Sequence, residues 1–328
     1  MTGLPIAIDA MGGDKAPSEI IAGARKAKEE HNLNVLLVGP EDLRSQAGDI
    51  PFLAASEVIG MDEDPTKAVR TKKDSSIVRA AEAVRDGQAS AMISAGNTGA
   101  VMAAALLRMG RLPQVARPCI ATPLVIPGNL DHHPTVMVDA GANVECQPAW
   151  LVQFAQMAAA YAKLRYNLSE ATVALLSNGE EASKGTPLVK QTHELLNEVK
   201  GIKFIGNVEG RDLLAAKADV IVTDGFTGNV ALKSLEGALS VFMDVLFKVI
   251  ATNDETKAAG NVLIPHLLAY GEALDPESTG GALLLGVEGI CIISHGSSSA
   301  KAILNAALLA EEMAKGNLVE GVKEAILS

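Results

Sequence analysis

Two junctions along this chain carry the same residues in the same order. "ISAGNTGAV" covers residues 93–101 and "VTDGFTGNV" covers residues 222–230. Each runs from an apolar stretch through Gly-x-Thr-Gly into a helical pattern. Gly96, Thr98 and Gly99 match Gly225, Thr227 and Gly228. A glycine-rich turn that opens a helix exposes backbone N–H groups at the positive end of the helix dipole, and that end favours phosphate or another oxyanion. Asn97, Asp224 and Asn229 sit within or beside the two motifs and add amide or carboxylate groups. Either motif alone could be no more than a tight turn with a threonine cap.

Four further loops follow apolar runs. "DAMGGDKAP" (9–17) places Gly12 and Gly13 before Asp14 and Lys15, as if the backbone must bend sharply or something must come close. "VDAGANVEC" (138–146) supplies Asp139 and Asn143. "LLSNGEEASKG" (175–185) supplies Asn178, Glu180, Glu181 and Lys184, the lysine being flanked by small residues. "SHGSSSAKA" (294–302) supplies His295, Gly296 and Ser297, whose hydroxyls suit a helix cap or an oxyanion. Lys184 is the candidate electrostatic partner of a bound anion. Asn229 and the N–H groups of residues 225–228 are candidate donors to it, as are Asn97 and Thr98. Asp139 and Asn143 are expected to orient these groups, and His295 is the reserve candidate for a proton role.

Several familiar signatures are absent: G-x-G-x-x-G, the G-x-x-x-x-G-K-[ST] loop and G-x-S-x-G. His132 and His133 adjoin each other without carboxylates at metal-ligand spacing. Cys119, Cys146 and Cys291 lie far apart and read as small apolar side chains. What remains suits an enzyme whose nucleophile is itself a bound anion.

The elements that must hold these loops follow from periodicity. Strands are expected at 5–10, 34–38, 89–94, 119–126, 135–139, 172–177, 203–205, 219–223 and 289–294, and helices at 18–30, 75–86, 98–109, 147–165, 187–199 and 298–315. Ser18 is read as an N-cap and Pro187 as a first helical residue. The βαβα rhythm predicts one α/β domain over 1–328, with a mostly parallel sheet and helices on both faces. Ligands of such sheets bind beyond the carboxyl ends of the strands. Residues 229–270 differ. A long helix with apolar residues at helical spacing, a polar break and "VLIPHLLAY" predict a projecting helical hairpin for dimer or membrane contact. The formal net charge of -11 argues against nucleic acid as a partner, as does an aromatic content of 3%. No apolar run reaches the ~20 residues of a membrane span. The odd cysteine count points to a reducing cytoplasm.

Together, "DAMGGDKAP", "ISAGNTGA", "DAGAN", "SNGEEASKG", "GNVEGRD" (206–212), "VTDGFTGNVALKSLEG" and "HGSSSAKAI" fall in an order that resembles the phosphate acyltransferase (PlsX) family of bacterial phospholipid synthesis over nearly the full chain. The hairpin beyond residue 250 is the least similar part. The resemblance implies a three-layer α/β/α sandwich like the isocitrate/isopropylmalate dehydrogenases and phosphotransacetylase. It implies transfer of a fatty acyl group from acyl carrier protein to inorganic phosphate. The acyl phosphate then goes to a membrane glycerol-3-phosphate acyltransferase. It also implies a homodimer, peripheral on the inner face of the cell membrane, without metal or nucleotide. An acidic carrier protein would dock on a basic patch, either Arg70, Lys72, Lys73 and Arg79 or Arg108, Arg111 and Arg117. The alternatives are a short-chain enzyme using acyl-coenzyme A, a hydroxy-acid dehydrogenase on the same fold, and a non-catalytic membrane adaptor.

Overall fold

Short apolar runs and amphipathic helices alternate because each strand must bury both of its faces. In the computed structural model, which describes residues 3–327, the elements in order are β1 (Ile6–Asp9), α1 (Ser18–His31), β2 (Val35–Gly39), α2 (Arg44–Ala47), β3 (Phe52–Ala54), α3 (Pro65–Thr71), α4 (Ser76–Arg85), β4 (Ala91–Ser94), α5 (Thr98–Ala104), β5 (Cys119–Leu124), β6 (Thr135–Val138) and α6 (Pro148–Tyr166). Then come β7 (Thr172–Leu176), α7 (Pro187–Leu196), β8 (Lys203–Val208), β9 (Val220–Val222), α8 (Gly225–Ile250), α9 (Asp254–Leu274), β10 (Ala282–Leu285), β11 (Ile290–Ile293), α10 (Ala300–Lys315) and α11 (Leu318–Leu327). The strands join in one sheet of order β3-β2-β1-β4-β11-β10-β5-β6-β9-β7-β8.

Strand alternation divides the core into two layers. Ile6, Ile8 and Ile93 face one apolar cluster, with α1, α6 and α10. Ala7 and Met92 face the other, with α4 and α5. That is the three-layer sandwich. Pro187 opens α7 as expected, with the Thr186 hydroxyl accepting from Val189 N at 3.3 Å. Ser18 is not the cap of α1. Pro17 holds that position, and the Ser18 hydroxyl instead donates to the Lys15 carbonyl at 3.2 Å.

The sheet is not uniformly parallel. Most pairings are parallel, but β10 runs against both β11 and β5, and β5 against β6. The two halves therefore run in opposite directions. Register still brings their carboxyl ends together. Ile8, Ile93, Ile292, Leu283, Ala121, Val138, Val222 and Leu175 form one continuous cross-strand row. In β1, β4, β11, β6, β9 and β7 that residue is the last or next to last. The six loops picked out by sequence gather along one line because the halves are offset, not because the strands share an edge.

The hairpin is longer than its sequence pattern. α9 begins at Asp254, where Asn253 and Thr256 form a reciprocal cap, so the break shrinks to three residues. Val241, Phe242, Val245, Phe247, Val262 and Leu268 are all exposed. No helix among the described residues is long and apolar enough to cross a membrane.

Candidate active site

Two buried aspartates organise the loops. Asp139 is fully buried at the end of β6. Its Oδ1 accepts from Ile120 N (3.1 Å), Gly141 N (3.1 Å) and Ala142 N (2.9 Å), and its Oδ2 from Asn143 N and Nδ2, both at 2.8 Å. Burial pushes this carboxyl up and the five donors pull against it. Asp9 does the same work at the end of β1. Its Oδ1 accepts from Met11 N at 3.1 Å and its Oδ2 from the Ser94 hydroxyl at 2.6 Å, and burial pushes it up as well. Ser94 in turn accepts from Gly96 N at 3.1 Å. Both aspartates hold protein donors, so their task is shape.

The glycines let these loops touch. A Cβ at Gly12 would lie 2.7 Å from Gly96 N, and one at Gly13, whose φ is +99°, would lie 2.8 Å from the Gly296 carbonyl. Asp14 N donates to that carbonyl at 2.7 Å. The Asp14 side chain is exposed beside Gly296. The "DAMGGDKAP" loop thus braces the loops after β4 and β11.

The two Gly-x-Thr-Gly turns are not equivalent. At α8, Gly225 N donates to the Asn143 carbonyl (2.8 Å), Thr227 N to Asp224 Oδ1 (2.9 Å), the Thr227 hydroxyl to Asp224 Oδ2 (2.8 Å) and Gly228 N to the Asp224 carbonyl (2.9 Å). The expectation that N–H groups of residues 225–228 hold an anion fails for these three, because the chain's own oxygens occupy them. At α5 the Asn97 amide is also committed, accepting from Ala100 N (3.1 Å) and donating to the carbonyls of Met61 (2.9 Å) and Glu63 (3.2 Å). Thr98 N, Gly99 N and the Thr98 hydroxyl have no partner among the described residues. The open helix end is α5. The N-terminus of α10 is closed by carboxylates: Glu277 takes Ser299 N at 2.9 Å and Glu19 takes Ala300 N at 2.7 Å.

A cavity of about 590 Å³ lies between α8, the base of α9 and the central strands. Its polar wall includes Thr98, Gly141, Asn229, His295, Ser297 and Ser298. Its apolar wall includes Ile120, Leu124, Leu214, Leu232, Leu235 and Leu239. The Asn229 amide donates to the Ala140 carbonyl at 3.2 Å, leaving its second N–H and its oxygen for a ligand. His295 Nδ1 pairs with the Ser297 hydroxyl at 2.8 Å. Asn143 does not line the cavity and is spent on Asp139 and the Pro118 carbonyl. Lys184 and Glu181 lie outside the lining, in the loop after β7. The Lys184 stem covers Gly179, and its exposed ammonium has no ion-pair partner among the described residues. That loop is anchored by Asn207 Nδ2 to the Glu181 carbonyl (3.1 Å) and by Lys217 to Glu180 (2.9 Å). The sequence reading missed Glu277, Glu19 and Ser94, whose pairing across the chain leaves no local pattern.

No protein thiol is poised to react. Burial pushes Cys291 up to about 12 and Cys146 to about 11, and drives Cys119 well above its ordinary value. Among the described residues no group of His, Cys, Asp or Glu has the arrangement of a metal site.

Comparison with known proteins agrees with this geometry. The family model described as "Fatty acid synthesis protein" matches residues 4–320. The phosphate acyltransferase of Pelotomaculum thermopropionicum is 46% identical over 99% of this chain and 96% of its own length. That of Halothermothrix orenii is 45% identical over 98% of each. Among solved structures, a phosphotransacetylase from Streptococcus pyogenes superposes with a TM-score of 0.63 at 15% identity, covering 96% of this chain and 95% of the other. A branched-chain phosphotransacylase from Enterococcus faecalis gives 0.61 at 14% identity, covering 95% and 99%. These two share the fold. The open helix end, the unreactive thiols and the full-length similarity converge, and the chain belongs to the fatty acid synthesis protein family, as a phosphate acyltransferase.

Proposed function

We propose that the acyl donor is a long-chain thioester on acyl carrier protein and that inorganic phosphate attacks it directly. The observation that carries this is a cavity with one polar wall and one long apolar wall. A phosphate oxygen forms the new bond to the thioester carbon. The carbonyl becomes a tetrahedral oxyanion, the C–S bond breaks, and the thiolate leaves and takes up a proton. Acyl phosphate and free carrier thiol result.

Thr98 N, Gly99 N and Asn229 are the donors free to hold phosphate or the oxyanion. One such preorganised donor contributes about 3–4 kcal/mol in acyl-transfer sites. Lys184 supplies the positive charge from the loop after β7 when the donor is bound. His295, steadied by Ser297, is placed to hand a proton to the leaving thiolate. Phosphate dianion is a competent nucleophile, so no strong base is required. The raised thiols support direct attack over an acyl-enzyme.

The first basic patch favours carrier docking on α3. Lys72 is tied to Glu63 at 2.6 Å, and Arg79 lies 3.6 Å from Asp74, which leaves Arg70 and Lys73 without an ion-pair partner among the described residues. In the second, Arg108 faces Glu82 at 3.9 Å, Arg111 donates to the Ala116 carbonyl, and Arg117 covers the Trp150 ring. α3 packs on α5, whose first residue is Thr98 at the cavity. The exposed apolar hairpin suits a membrane surface or a second copy of the chain. Either arrangement would serve release of acyl phosphate to a membrane glycerol-3-phosphate acyltransferase.

The test is to incubate the protein with palmitoyl-carrier protein and phosphate and follow acyl phosphate by ³¹P resonance. Formation from the carrier thioester supports the reading. Turnover of acetyl-coenzyme A alone would instead favour the short-chain enzyme, and no turnover of any thioester the adaptor.

A further inference from the structure

The lining of the cavity runs along two elements that start at the same point. Asn229 on α8 is hydrogen-bonded to the Ala140 carbonyl, and Ala140 N donates to the Ile120 carbonyl at 2.9 Å on β5. From there α8 contributes Leu232, Leu235 and Leu239, one apolar side chain per turn, with Lys233 and Glu236 along the same cavity wall. β5 contributes Ile120, Thr122 and Leu124 from one face, with Pro123 beside them and Val125 just beyond the strand. Ten helical residues from Asn229 to Leu239 advance ~15 Å. Four strand residues from Ile120 to Leu124 advance ~13 Å. Two independent elements thus give one length for the apolar trough, and Leu214, in the connection between β8 and β9, lines it too.

We infer that Leu239, with Leu124 and Leu214, forms the far end of the trough and sets the length of acyl chain that the enzyme accepts. This rests on the long-chain reading above. An extended carbon chain advances ~1.2 Å per bond, from the reach of an extended backbone over three bonds per residue. A trough of ~13–15 Å therefore encloses about 11–12 bonds beyond the Asn229 end. Chains much longer than that must push past Leu239 toward the exposed hairpin. Leu239 is half-buried, so its side chain can be enlarged without overfilling the sealed core.

The experiment uses the full chain and saturated thioesters from eight to eighteen carbons. Leu239→Trp is expected to lower the ratio of sixteen-carbon to eight-carbon kcat/KM about tenfold, and Leu239→Ala to move the optimum to longer chains. Leu214→Phe, from the opposite wall, should act like Leu239→Trp. In parallel, thermal shift with free fatty acids of the same lengths reads the trough without turnover. There, stabilisation should grow with length up to about twelve carbons in the parent and stop earlier in Leu239→Trp. Length profiles unchanged in both readouts, or lowered uniformly across all lengths, would overturn the inference. Absence of acyl phosphate from every thioester would refute the proposed function instead, and the fatty-acid series would still decide on the trough.

Discussion

The first glycines of the two Gly-x-Thr-Gly turns occupy the same motif position and should respond very differently to one methyl group. At Gly225 a Cβ would lie 2.6 Å from the Asn143 carbonyl oxygen, 2.8 Å from Asn143 N and 2.9 Å from Asp139 Oδ2. All three belong to the buried Asp139 cluster, which cannot give way. At Gly96 the nearest atoms would be Ile77 Cδ1 at 3.0 Å and the Ser94 hydroxyl at 3.2 Å, and Ile77 Cδ1 is the movable tip of a side chain. Overpacking of the first kind costs about 1–3 kcal/mol. Loss of the bond from Gly225 N to the Asn143 carbonyl adds about 1 kcal/mol. Gly225→Ala should therefore destabilise by about 3 kcal/mol, which in a chain of this size lowers Tm by roughly 4 °C. Gly96→Ala should stay within about 1 kcal/mol. Because α8 carries Asn229 into the cavity, Gly225→Ala should also cut kcat/KM for acyl phosphate formation more than tenfold. Thermal denaturation and the phosphate assay on both variants decide it. Equal Tm values, or a Gly225→Ala enzyme at parent activity, would refute the reasoning that this turn is fixed by contact with β6.

Replacing Lys184 with Ala should lower acyl phosphate formation at least a hundredfold with Tm unchanged, since its ammonium is exposed and unpaired; near-normal turnover at saturating phosphate would remove it from the site. Replacing Cys119, Cys146 and Cys291 together with Ala should leave turnover by direct attack intact, and mass spectrometry should find no acyl adduct on the parent enzyme. The Cys291 thiol is raised from 9.0 to about 12 by burial, so its share of stability is complete below pH 9 and lost as pH rises toward 12. The fall is ~1.4 kcal/mol per pH unit, and Cys291→Ala should flatten the decline in unfolding free energy, read from urea titrations between pH 8 and 10.5, by about 2 kcal/mol. Phe247→Glu, on the exposed face of α8, should abolish co-sedimentation with anionic vesicles, and unchanged sedimentation would place the hairpin against another protein surface.

What the sequence made legible is what is local. Period-two and period-3.6 patterns located most strands and helices, and the cap at Thr186 with Pro187 is written in adjacent residues. β10 was hidden because residues 280–294 read as one largely apolar stretch, in which only Gly286, whose φ is +92°, Glu288 and Gly289 mark the turn between two strands. The third strand, Phe52–Ala54, is three residues long at a sheet edge and offers no period to read. The reversal of half the sheet has no local signature at all. It depends on the strands around β10 and β5, which pair over more than a hundred residues of chain.

The same distinction decides which polar residues are free to act. A Gly-x-Thr-Gly turn states that N–H groups converge, and it is silent on whether another part of the chain has already filled them. At α8 the filling groups are Asp224, within the motif, and the Asn143 carbonyl, some eighty residues away. At α10 they are Glu277 and Glu19, and Glu19 comes from the opposite end of the chain. Two of the six loops thus end in closed donor sets, that of Asp139 and that of α10, and at α8 only Phe226 N is left without a partner among the described residues. An anion entering the cavity meets the Glu277 carboxylate beside α10 and the open end of α5 at Thr98. A carboxylate already in place repels phosphate as well as blocking it. The choice of α5 over α8 as the phosphate end therefore rests on which donors have no partner, and that is a property of the folded chain alone.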